Sequence, residues 1–421
     1  MLQALEINPI TLSHLALPVT EVMPNGVSLH CVQGCKEDVV RIEILFKGGY
    51  SVQCKPLQAI FTNRMLREGS KRFSSADISR EFDFYGAWID MYSSQEYNHI
   101  ILHVLAKHFQ KIIPVVEDFV KYPLFPQENF SVIKESNKAH FMISGKKVDR
   151  VAQRVFEHCL WGDGHPLGHV VEASDYDALD LEDMFSYHSK IYSSANCTIF
   201  LSGCCDDEVK DAIAAAFGNE AWGGAQKCKI SLPAHQTIIG RQKIVMENTL
   251  QSAVKVGCMS LPSSSPDIYA FRFLNVLFGG YFGGRLMSNI RETHGYTYDI
   301  ISEVDAYGRN NAFVISSEAA TEYVEPLLKE LYSEMERLRN ETIPVEEVEL
   351  VRNYIMGELC REYEGLSAKS EVFVNAWLQG ESFENVNKYL DVVKEVTPER
   401  LQEVARKYIV PENMIEIVVG A

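Results

Sequence analysis

"LDLEDMFSYHSKIYSSANCTIFLSG", Leu179 to Gly203, is echoed 217 residues later by "VTPERLQEVARKYIVPENMIEIVVG", Val396 to Gly420. The two segments align without a gap. Glu182 meets Glu399, Lys190 meets Lys407, Asn196 meets Asn413 and Gly203 meets Gly420. Apolar positions correspond as well: Leu179 with Val396, Met184 with Leu401, Phe200 with Ile417 and Leu201 with Val418. Each segment reads as a helix, a polar turn carrying Asn, and a short buried strand.

The repeat extends outward from there. "DVVRIEILFKGG" (Asp38–Gly49) and "SAVKVGCMSL" (Ser252–Leu261) both read as strands. Each leads through a loop into a helix, "PLQAIFTNRMLREG" in one case and "PDIYAFRFLNVLFGG" in the other. The Gly-, Ala- and Pro-bearing stretch from Gly218 to Gly240 reads as a linker. The expected fold is therefore α+β, in two homologous halves. Residues 1–217 form the first half, 218–240 the linker and 241–421 the second half. Each half is expected to be a mainly antiparallel sheet with helices on one face.

Composition sets limits. Of 421 residues, 46% are hydrophobic and 23% charged, ordinary for a soluble globular chain with more than one core. The net charge of −17 opposes a nucleic-acid role, which needs a basic face. Ten cysteines, among them Cys35 and the pair Cys204–Cys205, form no Cys-x-x-Cys set. They read as thiols in a reducing compartment. The start "MLQALEINPITLSHLALP" has no basic segment followed by a long apolar run, and no stretch approaches a membrane span. A cytoplasmic protein with no membrane partner is the expectation.

Two motifs carry chemistry. "GGYFGGRLMSNIRETHGYTYDI" (Gly279–Ile300) places Arg291 and Tyr298 seven residues apart, with Gly295 expected to end the helix that bears Arg291. Tyr296 and Tyr298 then share a face of the following strand. The glycines lack the Lys-Ser/Thr of a phosphate loop and read as a tight turn with close helix packing. In the first half, "QAIFTNRMLREGS" (Gln58–Ser70) reads as a helix. "IDMYSSQEY" (Ile89–Tyr97) alternates like an edge strand and contains Ser93 and Ser94. The pairs His99/His103 and His165/His169 have no carboxylate or cysteine placed beside them and read as structural.

Together these stretches resemble the pitrilysin/insulinase metallopeptidases, which include the mitochondrial processing peptidase. "WGDGHPLGHVV" is similar to that family's "FGDHPLG" loop, and the resemblance runs from about Asn25 to Ala421. In the family the first-half helix carries H-x-x-E-H. Two imidazoles one helical turn apart grip zinc, and the Glu serves as general base. A further Glu ligand comes from a later helix. Here the first His position holds Ile60, the Glu position Asn63 and the second His position Arg64. Ile has no lone pair, Arg is only a donor, and Asn does not accept a proton at neutral pH. Either Glu135 or Ser136, in "VIKESNKAH", falls near the third-ligand place. The resemblance therefore implies no metal and no cofactor in this chain.

The resemblance also implies a role for Arg291 and Tyr298, which in the family hold the substrate carbonyl and stabilise the oxyanion. Gly283, Gly284, Ser93 and Ser94 become expected substrate contacts, the serines through strand addition. The chain looks like the non-zinc subunit of a heteromeric peptidase. Its expected partner is a homologous subunit with intact H-x-x-E-H, or a second copy of itself, and its substrates are peptides. Two rival readings remain. One is a structural or peptide-binding homologue like the core subunits of respiratory complexes. The other is an independent enzyme with relocated metal ligands.

Overall fold

A computed structural model describes residues 10–32 and 38–420. Cys35, the first nine residues of the expected leader-free start, and Ala421 lie outside the described residues. The chain divides into two compact units. One comprises residues 17–238; the other comprises 239–420 together with 10–16.

The first unit contains β1 (Val19–Val22), β2 (Ser28–Cys31), β3 (Val39–Lys47), α1 (Gln58–Met65), α2 (Ser75–Tyr85), β4 (Trp88–Ser93) and β5 (Tyr97–Leu105). These are followed by α3 (Ala106–Lys121), α4 (Gln127–Ser144), α5 (Val148–Trp161), α6 (Ala173–Asp177), α7 (Leu181–Ile191), β6 (Cys197–Gly203) and α8 (Asp207–Ile213). The second contains β7 (Gly240–Val245), β8 (Ser252–Met259), α9 (Ile268–Asn275), β9 (Thr297–Tyr307), β10 (Asn310–Ala319) and α10 (Val324–Asn340). It closes with α11 (Val345–Glu364), α12 (Leu366–Leu378), α13 (Glu384–Glu395), α14 (Pro398–Tyr408) and β11 (Ile415–Gly420).

The two sheets have one topology. The first runs β1-β2-β6-β3-β5-β4 and the second β7-β11-β8-β10-β9. Apart from the extra edge strand β1, the orders correspond strand for strand. The pairing senses correspond too: β2/β6 and β7/β11 are parallel, and the other shared pairs are antiparallel. The repeated segments occupy equivalent places. Asp180 caps α7 by accepting from the Asp183 amide, and Thr397 caps α14 by accepting from the Arg400 amide, both 217 residues on. Gly203 and Gly420 both have positive φ, 91° and 156°. Each sheet is buried against its helices by alternating residues. Val40, Ile42, Ile44 and Phe46 do this on β3, and Val254, Val256 and Cys258 on β8.

The unit boundaries differ from the expected halves, for a local reason at each end. Leu12 and Leu15 pack on the core of the second unit, and Leu15 exchanges two hydrogen bonds with the Asn387 side chain on α13. Residues 218–238 lie along the first unit. Trp222 and Cys228 join its core, and the Gln236 and Ile238 amides donate to the Trp161 and Cys159 carbonyls. The stretch read as a linker is thus largely a docked strap.

Within each unit a charged tie joins the first helix to the helix that precedes the last strand. Lys55, just before α1, pairs with Asp183 on α7 at 2.8 Å. Asp267, just before α9, is buried and binds Arg400, Lys407 at 2.9 Å and the Tyr408 hydroxyl at 2.6 Å, all on α14. The Tyr408, Lys407 and Arg400 donors hold the Asp267 carboxyl at about 2, against an ordinary value near 3.9. Its folded-state pKa is depressed, so its stabilisation is complete above about pH 4 and is lost as the pH falls through about 2. Asp267→Asn is expected to cost about 1–3 kcal/mol at pH 7. Thermal melts of variant and wild type should converge as the pH is lowered from 4 towards 2. A gap that stays constant over that range would remove the charge from the explanation.

Candidate functional site

The helix α1 packs between the sheet and α7, and this fixes what the three degenerate positions do. Ile60 is half-buried against the apolar core. Asn63 is buried, and its amide donates to the Tyr92 carbonyl on β4 at 2.7 Å and the His99 carbonyl on β5 at 3.2 Å. Its oxygen accepts from the Tyr192 hydroxyl at 3.0 Å. Arg64 is exposed and donates to the Asn137 side chain on α4 at 2.7 Å. The α4 residue facing Arg64 is therefore Asn137, while Glu135 and Ser136 both point to solvent. An aliphatic chain, a fully bonded amide and a guanidinium do not fit zinc, and no metal-dependent step can be drawn through them.

The histidine pairs are engaged in other ways. His99 is buried; its Nδ1 lies 2.9 Å from Glu43 and its Nε2 3.1 Å from the Ser94 hydroxyl, with its ring stacked on Tyr92 at 4.2 Å. Burial pushes the Glu43 carboxyl up, but bonds from His99 and Arg41 outweigh it and hold the group below its ordinary value. The His103 ring lies tilted against Trp88 at 5.2 Å, and burial lowers its pKa. His165 stacks on Trp161 at 4.6 Å, and its Nδ1 accepts from the Leu167 amide at 3.1 Å. His169 pairs with Asp175 at 2.9 Å. His158, His165 and His169 line a cleft of about 400 Å³ with Cys54, Lys55 and Asp163. Among the described residues no group of three or more His, Cys, Asp or Glu side chains is placed to hold a metal ion.

The strand read as a peptide-binding edge, β4, is at the edge of its sheet, with Trp88 and Tyr92 exposed. Ser93, however, is buried and bonds to the Ala59 carbonyl and the Asn98 side chain. Ser94 is half-buried, its hydroxyl between the Tyr97 carbonyl and His99.

In the second unit, Arg291 and Tyr298 come together. A helical stretch that widens to π-helix over Met287–Thr293 carries Arg291. Gly295 takes φ +69°, its amide donates to the Arg291 carbonyl, and the helix ends there. The chain then enters β9, where a bulge opposite Glu318 sets two residues, Tyr298 and Asp299, against one. Such a bulge re-aims a side chain. Tyr298 is 82% exposed, and its ring centroid lies 5.0 Å from the Arg291 guanidinium carbon. Tyr296 does not share this setting: it precedes β9 and stacks on His294 and Tyr323.

The glycine-rich turn supplies a residue the sequence reading missed. Phe282, 64% exposed, holds its ring 4.5 Å from the same guanidinium carbon. An aromatic set between glycine pairs, "GGYFGG", was the available signal. Gly284 is buried, and a Cβ there would press within 3.1 Å of Gly279 and Phe278 backbone, so close packing requires glycine. Gly283 is exposed at the tip. No ion pair or hydrogen bond to the Arg291 side chain is found among the described residues.

Two sheets of one topology define a duplicated α+β chain, and its second unit brings Arg291 and Tyr298 together. The comparisons agree. Residues 58–158 match the profile "Insulinase (Peptidase family M16)", and residues 178–355 match "Peptidase M16 inactive domain". The chain belongs to the pitrilysin/insulinase family. It is 22% identical to an uncharacterized zinc protease of Rickettsia felis, over 91% of this chain and 90% of that one. Its fold matches the crystal structure of a peptidase M16 inactive domain from Pseudomonas fluorescens with TM-score 0.87, at 20% identity over 96% and 98% of the chains. It also matches a chain of Complex III2 from Candida albicans with TM-score 0.75, at 14% identity over 96% and 95%. No helix among the described residues is long and apolar enough to cross a membrane.

Two outcomes follow for Ile60, Asn63 and Arg64. Elemental analysis of the purified chain should find no stoichiometric zinc; one tightly held zinc per chain would point to ligands elsewhere. Asn63→Asp is nearly isosteric but sets a carboxylate against two carbonyl oxygens. It should destabilise the fold by about 2–4 kcal/mol at pH 7. The raised carboxyl pKa makes that cost complete at neutral pH and smaller as the pH falls towards about 4. Equal stability of variant and wild type in denaturant titrations at pH 7 would show that Asn63 pins nothing.

Proposed function

We propose that the chain is a zinc-free subunit of an insulinase-type peptidase, contributing Arg291 and Tyr298 to a partner that carries intact H-x-x-E-H. The observation that carries this reading is the Arg/Tyr pair, held adjacent and open, in a chain whose metal positions are Ile60, Asn63 and Arg64. A phenol and a guanidinium are donors suited to negative charge developing on a scissile carbonyl oxygen. The partner supplies the metal, the general base and the attacking water. Substrates are peptides or unfolded segments. Ser93 and Ser94 contribute through the placement of β4, and Gly283 and Gly284 by letting the turn approach closely.

A second reading, a structural or peptide-binding homologue without hydrolysis, is favoured by Asn63, whose bonding is complete within the fold. One assay separates the two. The chain alone should leave a fluorogenic peptide uncut, and mixing it with an H-x-x-E-H homologue should give cleavage. Tyr298→Phe should then lower kcat by on the order of 10–10³-fold with assembly intact. Arg291→Ala should impair both kcat and KM, because a cation also holds the ground-state carbonyl. Full activity of both variants would move the structural reading ahead.

A further inference from the structure

We infer that Phe282, Arg291 and Tyr298 form a receptor for the terminal carboxylate of a peptide, and that this receptor works in the isolated chain. It shares two residues with the proposed catalytic role but does not rest on it.

The first ground is charge. In a chain of net charge −17, Arg291 has no carboxylate partner among the described residues, although Glu292 and Asp299 are near in sequence and exposed. Its half-buried guanidinium lies over two rings instead, 4.5 Å and 5.0 Å away. Aromatic rings attract a cation without using its N–H groups. No hydrogen bond or ion pair among the described residues uses those groups, so they are open to a ligand. The ligand matching a planar fork of donors is a carboxylate, held by two parallel hydrogen bonds. The Tyr298 hydroxyl is a further donor on the same side chain cluster.

The second ground is direction. The Arg291 guanidinium lies over the ring of Tyr298, at the start of β9, the outermost strand of its sheet. A peptide added antiparallel to β9 runs towards Thr297, so its C-terminus arrives at Tyr298 and Arg291. The stretch open for this is short. The Asn275 side chain donates to the Ser302 carbonyl at 3.1 Å and closes the strand from there. Tyr298, Asp299 and Ile301 before it are exposed. Only the last few residues of a peptide fit, which selects a chain end over an internal segment.

The test uses the full chain without a partner. An N-terminally labelled, uncharged-side-chain hexapeptide is titrated by fluorescence anisotropy as the free acid, as the C-terminal amide, and as an amide with one internal Asp. The free acid should bind at least about tenfold more tightly than either amide, the difference expected for one charge-assisted bidentate contact. Arg291→Gln and Phe282→Ala should erase that preference, and Phe282→Tyr should keep it. Equal binding of acid and amide, no binding of any peptide, or a preference that survives Arg291→Gln would overturn the inference. The Asp-containing amide matching the free acid would overturn the chain-end assignment. Because no cleavage is measured, failure here leaves the reconstitution assay unaffected, and failure there leaves this one unaffected.

Discussion

One buried amide holds together the part of the first unit where the family's metal chemistry would sit. Asn63 ties α1 to β4, to β5 and to Tyr192 through three hydrogen bonds. The two carbonyls it faces require a donor. A carboxylate at this position would meet them with lone pairs only, at a site from which water is excluded. The bonding that fixes the helix is therefore incompatible with a general base on the same atom positions. Ile60 and Arg64 follow the same logic. Ile60 faces the core and adds apolar contact, while Arg64 reaches outward to Asn137.

The duplication shows which packing constraint α1 answers to. Both units build the same strand order, and in both a capped helix leads into the last strand at an equivalent place in the sheet. The ties joining the first helix to this capped helix have opposite polarity. In one unit a lysine before α1 meets an aspartate on α7; in the other an aspartate before α9 meets cations on α14. The constraint common to both is the helix–sheet packing, and the charges are interchangeable ways of fastening it. Once that packing is secured, the α1 positions facing the sheet edge need only satisfy local bonding.

Much of this was legible in the sequence, for identifiable reasons. The repeat at 179–203 and 396–420 preserves caps, turn and terminal glycine, all of which are local signals. What stayed hidden depends on distant partners. Asn63 reads as a missing base because the carbonyls it serves lie 29 and 36 residues on. The choice between Glu135 and Ser136 could not be made from α4 alone. Which helix face meets Arg64 is set by packing, and the face presented is Asn137. Residues 10–16 join the second unit through contacts with α13 more than 370 residues away, which no local pattern encodes. Phe282 was passed over because its glycine neighbours drew the reading towards backbone geometry.

The two candidate places differ in one physical respect, and it bears on where function resides. Around α1 the polar groups are bonded within the fold. Asn63, Ser93 and both nitrogens of His99 each have partners in the chain. A ligand arriving there would have to displace bonds already made, at a cost comparable to leaving a buried group unpaired. Around Arg291 the situation is reversed. The guanidinium lies over two rings, no hydrogen bond or ion pair among the described residues uses its donors, and Tyr298, at a bulge, is exposed to solvent. A ligand there displaces no hydrogen bond or ion pair already made by that guanidinium, so it keeps more of the interaction energy it gains. The polar groups around α1 are spent on structure, while the Arg291 side chain has no hydrogen-bond or ion-pair partner among the described residues.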